Sequence, residues 1–292
     1  MLDSLSFATM LWHVAGLFVL AWLIRRGARG SIWRGVEPAE PLPPPGFGLM
    51  VPPLIFVIGA CGPALTFGLF GMPDPARLPA TTAAAAALGQ GISLVTTLLV
   101  AAVQFPRETR DWFGRLTPGR SIMVAFVLIV GCLPLVLRLH QFVSVWLVPY
   151  DHATLAALRD APSAATIFWR LLHTVVMTPL FEELLYRGFV LGALMRLAAV
   201  RTFDLQRLLF GDRPSDEKPE AAGKRAPFWP VLIAALLFAA AHANQGAAPI
   251  PLFVLAVLLG ESVRRTGSLM PAILTHAALN LHGTAVTLLV AP

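Results

Sequence analysis

Thr178-Pro179-Leu180-Phe181-Glu182-Glu183-Leu184-Leu185-Tyr186-Arg187-Gly188 sets two adjacent glutamates and an arginine inside an otherwise apolar stretch. An ionisable group at the centre of a bilayer costs roughly 2.5–3.5 kcal/mol on insertion scales. Such groups are therefore rare, and they face a protein interior or a wet cavity. Two carboxylates and an arginine this close together mark a site, and the apolar flanks place that site in a membrane.

The composition agrees. Of 292 residues, 57% are hydrophobic and 13% charged, and the mean hydropathy is +0.72. Soluble domains carry about 25% charged residues. The chain reads as an all-α, polytopic membrane protein embedded in the lipid bilayer. Its net charge of +6 does not point to nucleic acid, because the Lys and Arg residues cluster in short loops between apolar runs, as in cytoplasmic membrane loops. Cys61 and Cys132 each lie alone in an apolar run, without CxxC or Cys/His spacing, and read as small buried hydrophobes.

A spanning helix needs about 20 mostly apolar residues. Eight stretches qualify on that basis, near 6–24, 47–70, 80–105, 121–140, 166–198, 228–243, 247–263 and 269–289. The first four make an N-terminal transmembrane region over 1–160. Asp3 precedes the first apolar run and Arg25, Arg26, Arg29 and Arg34 follow it, the reverse of a signal peptide. That run reads as a transmembrane helix whose N-terminus lies outside. Loops after odd-numbered helices are then cytoplasmic, and they hold nearly all the basic residues: 25–46, 106–120, 199–227 and Arg264/Arg265. The membrane implied is a bacterial inner (plasma) membrane. Pro179 is the expected break in the long fifth helix. Residues 41–45 read as an extended cytoplasmic linker, 211–226 as a polar loop, and Asn244–Pro251 as a tight turn.

Three clusters carry chemistry. In Glu182-Glu183-x-x-x-Arg187, each helical residue advances about 100°, so Glu183 and Arg187 share a face and can pair. Glu182 points away and is free for another partner. Phe238-Ala-Ala-Ala-His242 follows on the sixth helix, and His276-Ala-Ala-Leu-Asn280 on the eighth. Together they offer a base and hydrogen-bond donors for hydrolysis. Each cluster alone has a bland reading, since an intramembrane histidine is often a structural hydrogen-bonder and a buried ion pair can simply lock a helix. Their order in successive apolar helices argues otherwise.

That ordered set, EExxxR, FxxxH and HxxxN, resembles the CAAX-protease and bacteriocin-processing family (CPBP, or Abi), relatives of the type II CAAX prenyl endopeptidases. The approach Arg265-Thr-Gly-Ser-Leu-Met-Pro-Ala-Ile-Leu-Thr-His276 is also similar. The resemblance covers roughly 166–286 and implies a protease domain over 161–288 that cleaves a peptide or membrane-protein substrate. Carried over by motif position, it implies that Glu182 and His242 activate water and that His276 and Asn280 stabilise the oxyanion. Glu183 and Arg187, with Phe238, would give structural support. The family has also been described as metal-dependent, and Glu182, His242 and His276 would be the ligands of a zinc ion. The sequence has no HExxH, and a metal-independent glutamate mechanism is the favoured expectation. The alternative is a non-catalytic membrane protein: a bacteriocin self-immunity factor, a scaffold or a transporter. A transporter of this size often carries broken helices in both halves, whereas the polar intramembrane residues here concentrate after residue 178.

Five further histidines and one glutamate carry blander expectations. His13, His140 and His152 read as interfacial anchors. His173 lies nine residues before Glu182, about 180° around a regular helix, and is expected to face elsewhere. His282 lies about 240° from His276 and is set aside on the same ground. Glu261 reads as a surface partner of Arg264 and Arg265.

Overall fold

The computed structural model describes residues 45–70, 79–147, 163–199, 204–211 and 227–290, with Trp12, Val14, Ala15, Gly16, Phe18, Val19, Ala21 and Arg25, all eight of them helical. The helices are α1 (Val51–Phe70), α2 (Pro79–Gln104), α3 (Pro106–Gly114), α4 (Pro118–Gly131), α5 (Leu133–Ser144), α6 (Ala164–Ala199), α7 (Leu205–Phe210), α8 (Trp229–Ala240), α9 (Pro249–Thr266) and α10 (Met270–Val290). Proline opens α2, α3, α4 and α9, where its missing N–H has no intrahelical partner to lose and its fixed φ suits the first turn. Ser163 caps α6 by accepting the Thr166 N–H at 3.2 Å. Gly267, at φ 70°, ends α9 in the left-handed conformation that favours glycine.

Among the described residues, five segments are long and apolar enough to cross a membrane: Val51–Leu69, Ala80–Gln104, Pro118–Ser144, Ala164–Ala199 and Met270–Leu289. The expectation of eight spans is met only in part. α8 has 12 residues and reaches about 18 Å, short of the ~30 Å hydrocarbon core. α9 has 18 residues and carries Glu261, Arg264 and Arg265 near its end. The first expected span falls mostly outside the described residues, as do His13, His152 and 212–226. Large apolar side chains such as Phe56, Leu69, Leu99, Phe126 and Leu236 are exposed on the spanning helices and on α8, as a lipid-facing surface requires.

Small residues let α1 and α2 approach closely. Ser93 Oγ donates across the interface to the Gly59 carbonyl at 2.7 Å. A Cβ at Gly89 would lie 2.7 Å from Thr66 Oγ1, and one at Gly62 would run into the Gly89 carbonyl. In a membrane, where apolar burial offers little drive, such contacts hold helices together. Gly62→Val is therefore expected to destabilise the protein by about 1–3 kcal/mol through overpacking, read as earlier thermal unfolding in detergent.

One end of the bundle is tied together by the chain's basic segments. Leu49 and Met50 donate backbone bonds to the Leu208 and Leu209 carbonyls, and Leu269 N–H donates to the Trp112 carbonyl. Arg196 donates to the Pro45 carbonyl at 2.9 Å, and Gly46 N–H to Glu108 at 2.8 Å. Beneath them Phe47, Phe105, Trp112 and Phe189 form an edge-to-face aromatic cluster. Residues 41–44 of the proline-rich connector lie outside the described residues; Phe47, just after it, is 1% exposed. α8 and α9 run back on each other, with Val231 against Gly260 and Phe238 and Ala235 packed with Ala256.

Candidate active site

Helix α6 stays continuous through Pro179, contrary to the expected break, but only by widening. Residues Leu172–Met177 and Leu184–Val190 form π-helical turns on either side of Thr178–Glu183. Proline has no N–H and its ring clashes with the carbonyl four residues back, so the preceding turn opens to i→i+5. The Thr178 N–H bonds the His173 carbonyl, and the partner five residues after Thr174 is Pro179, which cannot donate. The Thr174 carbonyl is thereby left over, and Asn280 Nδ2 on α10 donates to it at 2.8 Å. One defect in α6 thus becomes the anchor for a side chain of α10.

The second wide turn holds the acidic pair. Glu183 is 0% exposed and Arg187 3%. Arg187 Nη1 donates to Glu183 Oε1 at 3.0 Å, and His276 Nδ1 lies 2.8 Å from the same oxygen. A carboxylate already paired with arginine accepts, so Nδ1 carries the imidazole proton and Nε2 is left facing Glu182, whose Oε2 is 3.7 Å away. That gap is too long for a direct bond. Glu182 keeps 22% of its side chain exposed. The two adjacent glutamates are therefore separated as their spacing suggested, one buried in an ion pair and one open.

Phe238 packs among these groups. Its ring, 1% exposed, lies 4.4 Å beneath the Arg187 guanidinium carbon and makes ring contacts with Tyr186, His242 and His276. Such a cation–π contact strengthens when desolvated. His242 Nδ1 is 2.8 Å from the Phe238 carbonyl. A carbonyl can only accept, so this nitrogen holds the proton and Nε2 keeps its lone pair.

Glu182, His242, His276 and Asn280 all line one cavity of about 410 Å³ between α5, α6, α8, α9 and α10. Sequence reasoning missed two neighbours of these residues. His140 and His173 line the same cavity. His173 was placed opposite Glu182 on a regular helix, but a π turn accommodates an extra residue and rephases what precedes it by about 100°. Pro179 was the available signal that regular counting would fail here. His282 instead meets Trp12, ring to ring at 5.2 Å. Glu261 accepts from Arg264 and Arg265 as expected, though Arg264 is only 9% exposed. Cys132 is buried, whereas Cys61, expected to be buried too, is exposed on α1.

Among the described residues no group of three or more His, Cys, Asp or Glu side chains is placed to hold a metal ion. His276 Nδ1 meets Glu183 and His242 Nδ1 meets the Phe238 carbonyl, which is also how a metal-ligating histidine engages its second nitrogen.

Residues 164–282, which contain all three motifs, match the family model of type II CAAX prenyl endopeptidase Rce1-like proteins. That segment is similar to the CAAX protease family. The match begins at α6 and ends within α10, so the π turns, the acidic pair, His242, His276 and Asn280 all fall inside the Rce1-like region. No curated protein and no solved structure matches the chain.

Proposed function

We propose that the protein is an intramembrane endopeptidase that hydrolyses a peptide bond with a water activated by Glu182 and His242. The observation that carries this reading is the convergence of Glu182 from α6, His242 from the turn after α8, and His276 and Asn280 from α10 on one cavity above a buried Glu183–Arg187 pair. Glu182 is the open carboxylate and His242 presents an unprotonated Nε2, so the two can take the proton of an attacking water. Asn280 spends one amide N–H on the Thr174 carbonyl, which fixes the side chain and leaves the second N–H for a developing oxyanion. His276 can join it as a donor only when Nε2 carries a proton. Glu183, Arg187 and Phe238 position these groups, Phe238 from the cavity wall.

The reaction is proposed to need no metal, because the sequence has no HExxH and Arg187 already claims the second carboxylate. Peptide cleavage by the purified protein in detergent is expected to be unchanged by a tight zinc chelator, with no stoichiometric zinc on elemental analysis. Inhibition by the chelator, restored by added zinc, would reverse this choice of mechanism while leaving the same residues at the site. The membrane is proposed to be a bacterial plasma membrane, with 161–288 acting as the protease domain. The substrate class carried by the family name, a prenylated C-terminal peptide, is one candidate, and a peptide or membrane-protein segment is the other. Comparing the membrane proteome and released peptides of cells carrying the intact protein or Glu182→Gln distinguishes them.

A further inference from the structure

The cavity occupies only one half of the bundle. On α6 its lining runs from Glu182 through Thr178 and Thr174 to His173, toward the Ala164 end. On α10 it runs from His276 through Asn280 to Thr284, toward the Val290 end, a climb of about 12 Å at 1.5 Å per residue. The remaining lining comes from Val136, Leu137 and His140 late in α5, from Phe238 and His242 where α8 ends, and from the turn and first residues of α9. No lining residue comes from α6 after Glu182, α9 after Leu252 or α10 before His276.

The opposite end is closed and basic. Arg187, Glu183 and the Phe238 ring fill the space beneath the cavity. Arg187 also lines a separate, smaller cavity of about 70 Å³ with Arg107 and Arg115. Among the described residues that end carries Arg107, Arg110, Arg115, Arg120, Arg196, Arg207, Arg264 and Arg265, while the cavity's end carries Arg138 and the buried Arg170. Arginine and lysine bias orients membrane proteins with the basic loops in the cytoplasm.

We infer that the cavity opens to the extracytoplasmic face, and that its substrate is a peptide segment presented from that side of the membrane. This rests on the endopeptidase reading for the word substrate, but the direction of opening stands on geometry and charge alone. His140, His173, Gln245 and Thr284 give the outer part of the cavity polar groups, suited to the amides of an extended chain reaching down to Glu182. A segment held in the cytoplasm would meet the closed, arginine-bearing end instead.

The test uses full-length protein in cells, with Cys61 and Cys132 replaced by alanine and single cysteines introduced. Gly283 lines the cavity, and a Cβ there meets nothing within 4 Å. Gly114, at the end of α3, is equally open and lies among the arginines. A membrane-impermeant maleimide is expected to label Gly283→Cys in intact spheroplasts and Gly114→Cys only in inverted vesicles. Gln245→Cys, in the turn before α9, is the second cavity reporter and is expected to follow Gly283→Cys. Labelling of both cavity cysteines only in inverted vesicles, or from neither side, would overturn the inference. Attaching the bulky label to Gly283→Cys from outside is further expected to stop cleavage of a peptide supplied outside. Cleavage that continues despite full labelling would sink the access route and leave the peptidase reading intact. Absence of cleavage by the unlabelled wild-type chain would sink the peptidase reading, with the labelling pattern still reporting the direction of opening.

Discussion

Glu182→Gln is expected to lower peptide cleavage by about 10²–10⁴-fold, the range for losing a general base, while the protein folds as before. The amide keeps the shape of the carboxylate but cannot take a proton. Glu182 is also the more open glutamate of the pair, and His276 Nε2 stands 3.7 Å from it. Its loss therefore breaks no close bond that holds the helices. The measurements are cleavage rate and thermal unfolding of the purified variant in detergent. Near-normal cleavage at unchanged stability would remove Glu182 from the mechanism and leave the cavity without its base.

The neighbouring substitution is expected to behave in the opposite sense. Glu183→Gln leaves the Arg187 guanidinium, 3% exposed, without a negative partner, and breaking a buried pair in this way costs about 3–5 kcal/mol. The same change weakens the bond to His276 Nδ1, so the imidazole loses its orientation toward Glu182. Both stability and cleavage should fall, with the drop in unfolding temperature visible even where cleavage is not assayed. Two buried atoms, Glu183 Oε2 and Arg187 Nη2, already lack hydrogen-bond partners among the described residues. The pair therefore has little spare bonding with which to absorb the loss, beyond the contact of Arg187 with the Phe238 ring. A Glu183→Gln protein as stable as wild type would show that Arg187 is neutralised by some other route.

Much of this site was legible before any coordinates. The i, i+4 spacing of Glu183 and Arg187 announced their pairing, because residues four apart share a helix face. Leaving Glu182 off that face followed from the same 100° step. The apolar runs gave the spanning helices α1, α2, α6 and α10 to within a few residues. α8 and α9 were found, but the structure does not confirm them as spans: α8 has 12 residues and α9 carries three charged residues near its end. Hydropathy reports that a stretch is apolar, and not how far its helix reaches.

What the sequence determined by itself is local: which residues are too polar for the membrane, which of them share a face, and which end of each helix carries positive charge. The tertiary structure decided what the defect at Pro179 becomes. A proline in a helix can kink or break it, or widen a turn, and the choice depends on who satisfies the stranded carbonyl. Here Asn280, 106 residues away, donates to Thr174, and the widened turn brings His173 to the cavity. The meeting of Glu183 with His276, 93 residues apart, is of the same kind. No periodicity reports it, because partners on different helices are chosen by packing and by the cost of leaving a buried polar group unpaired.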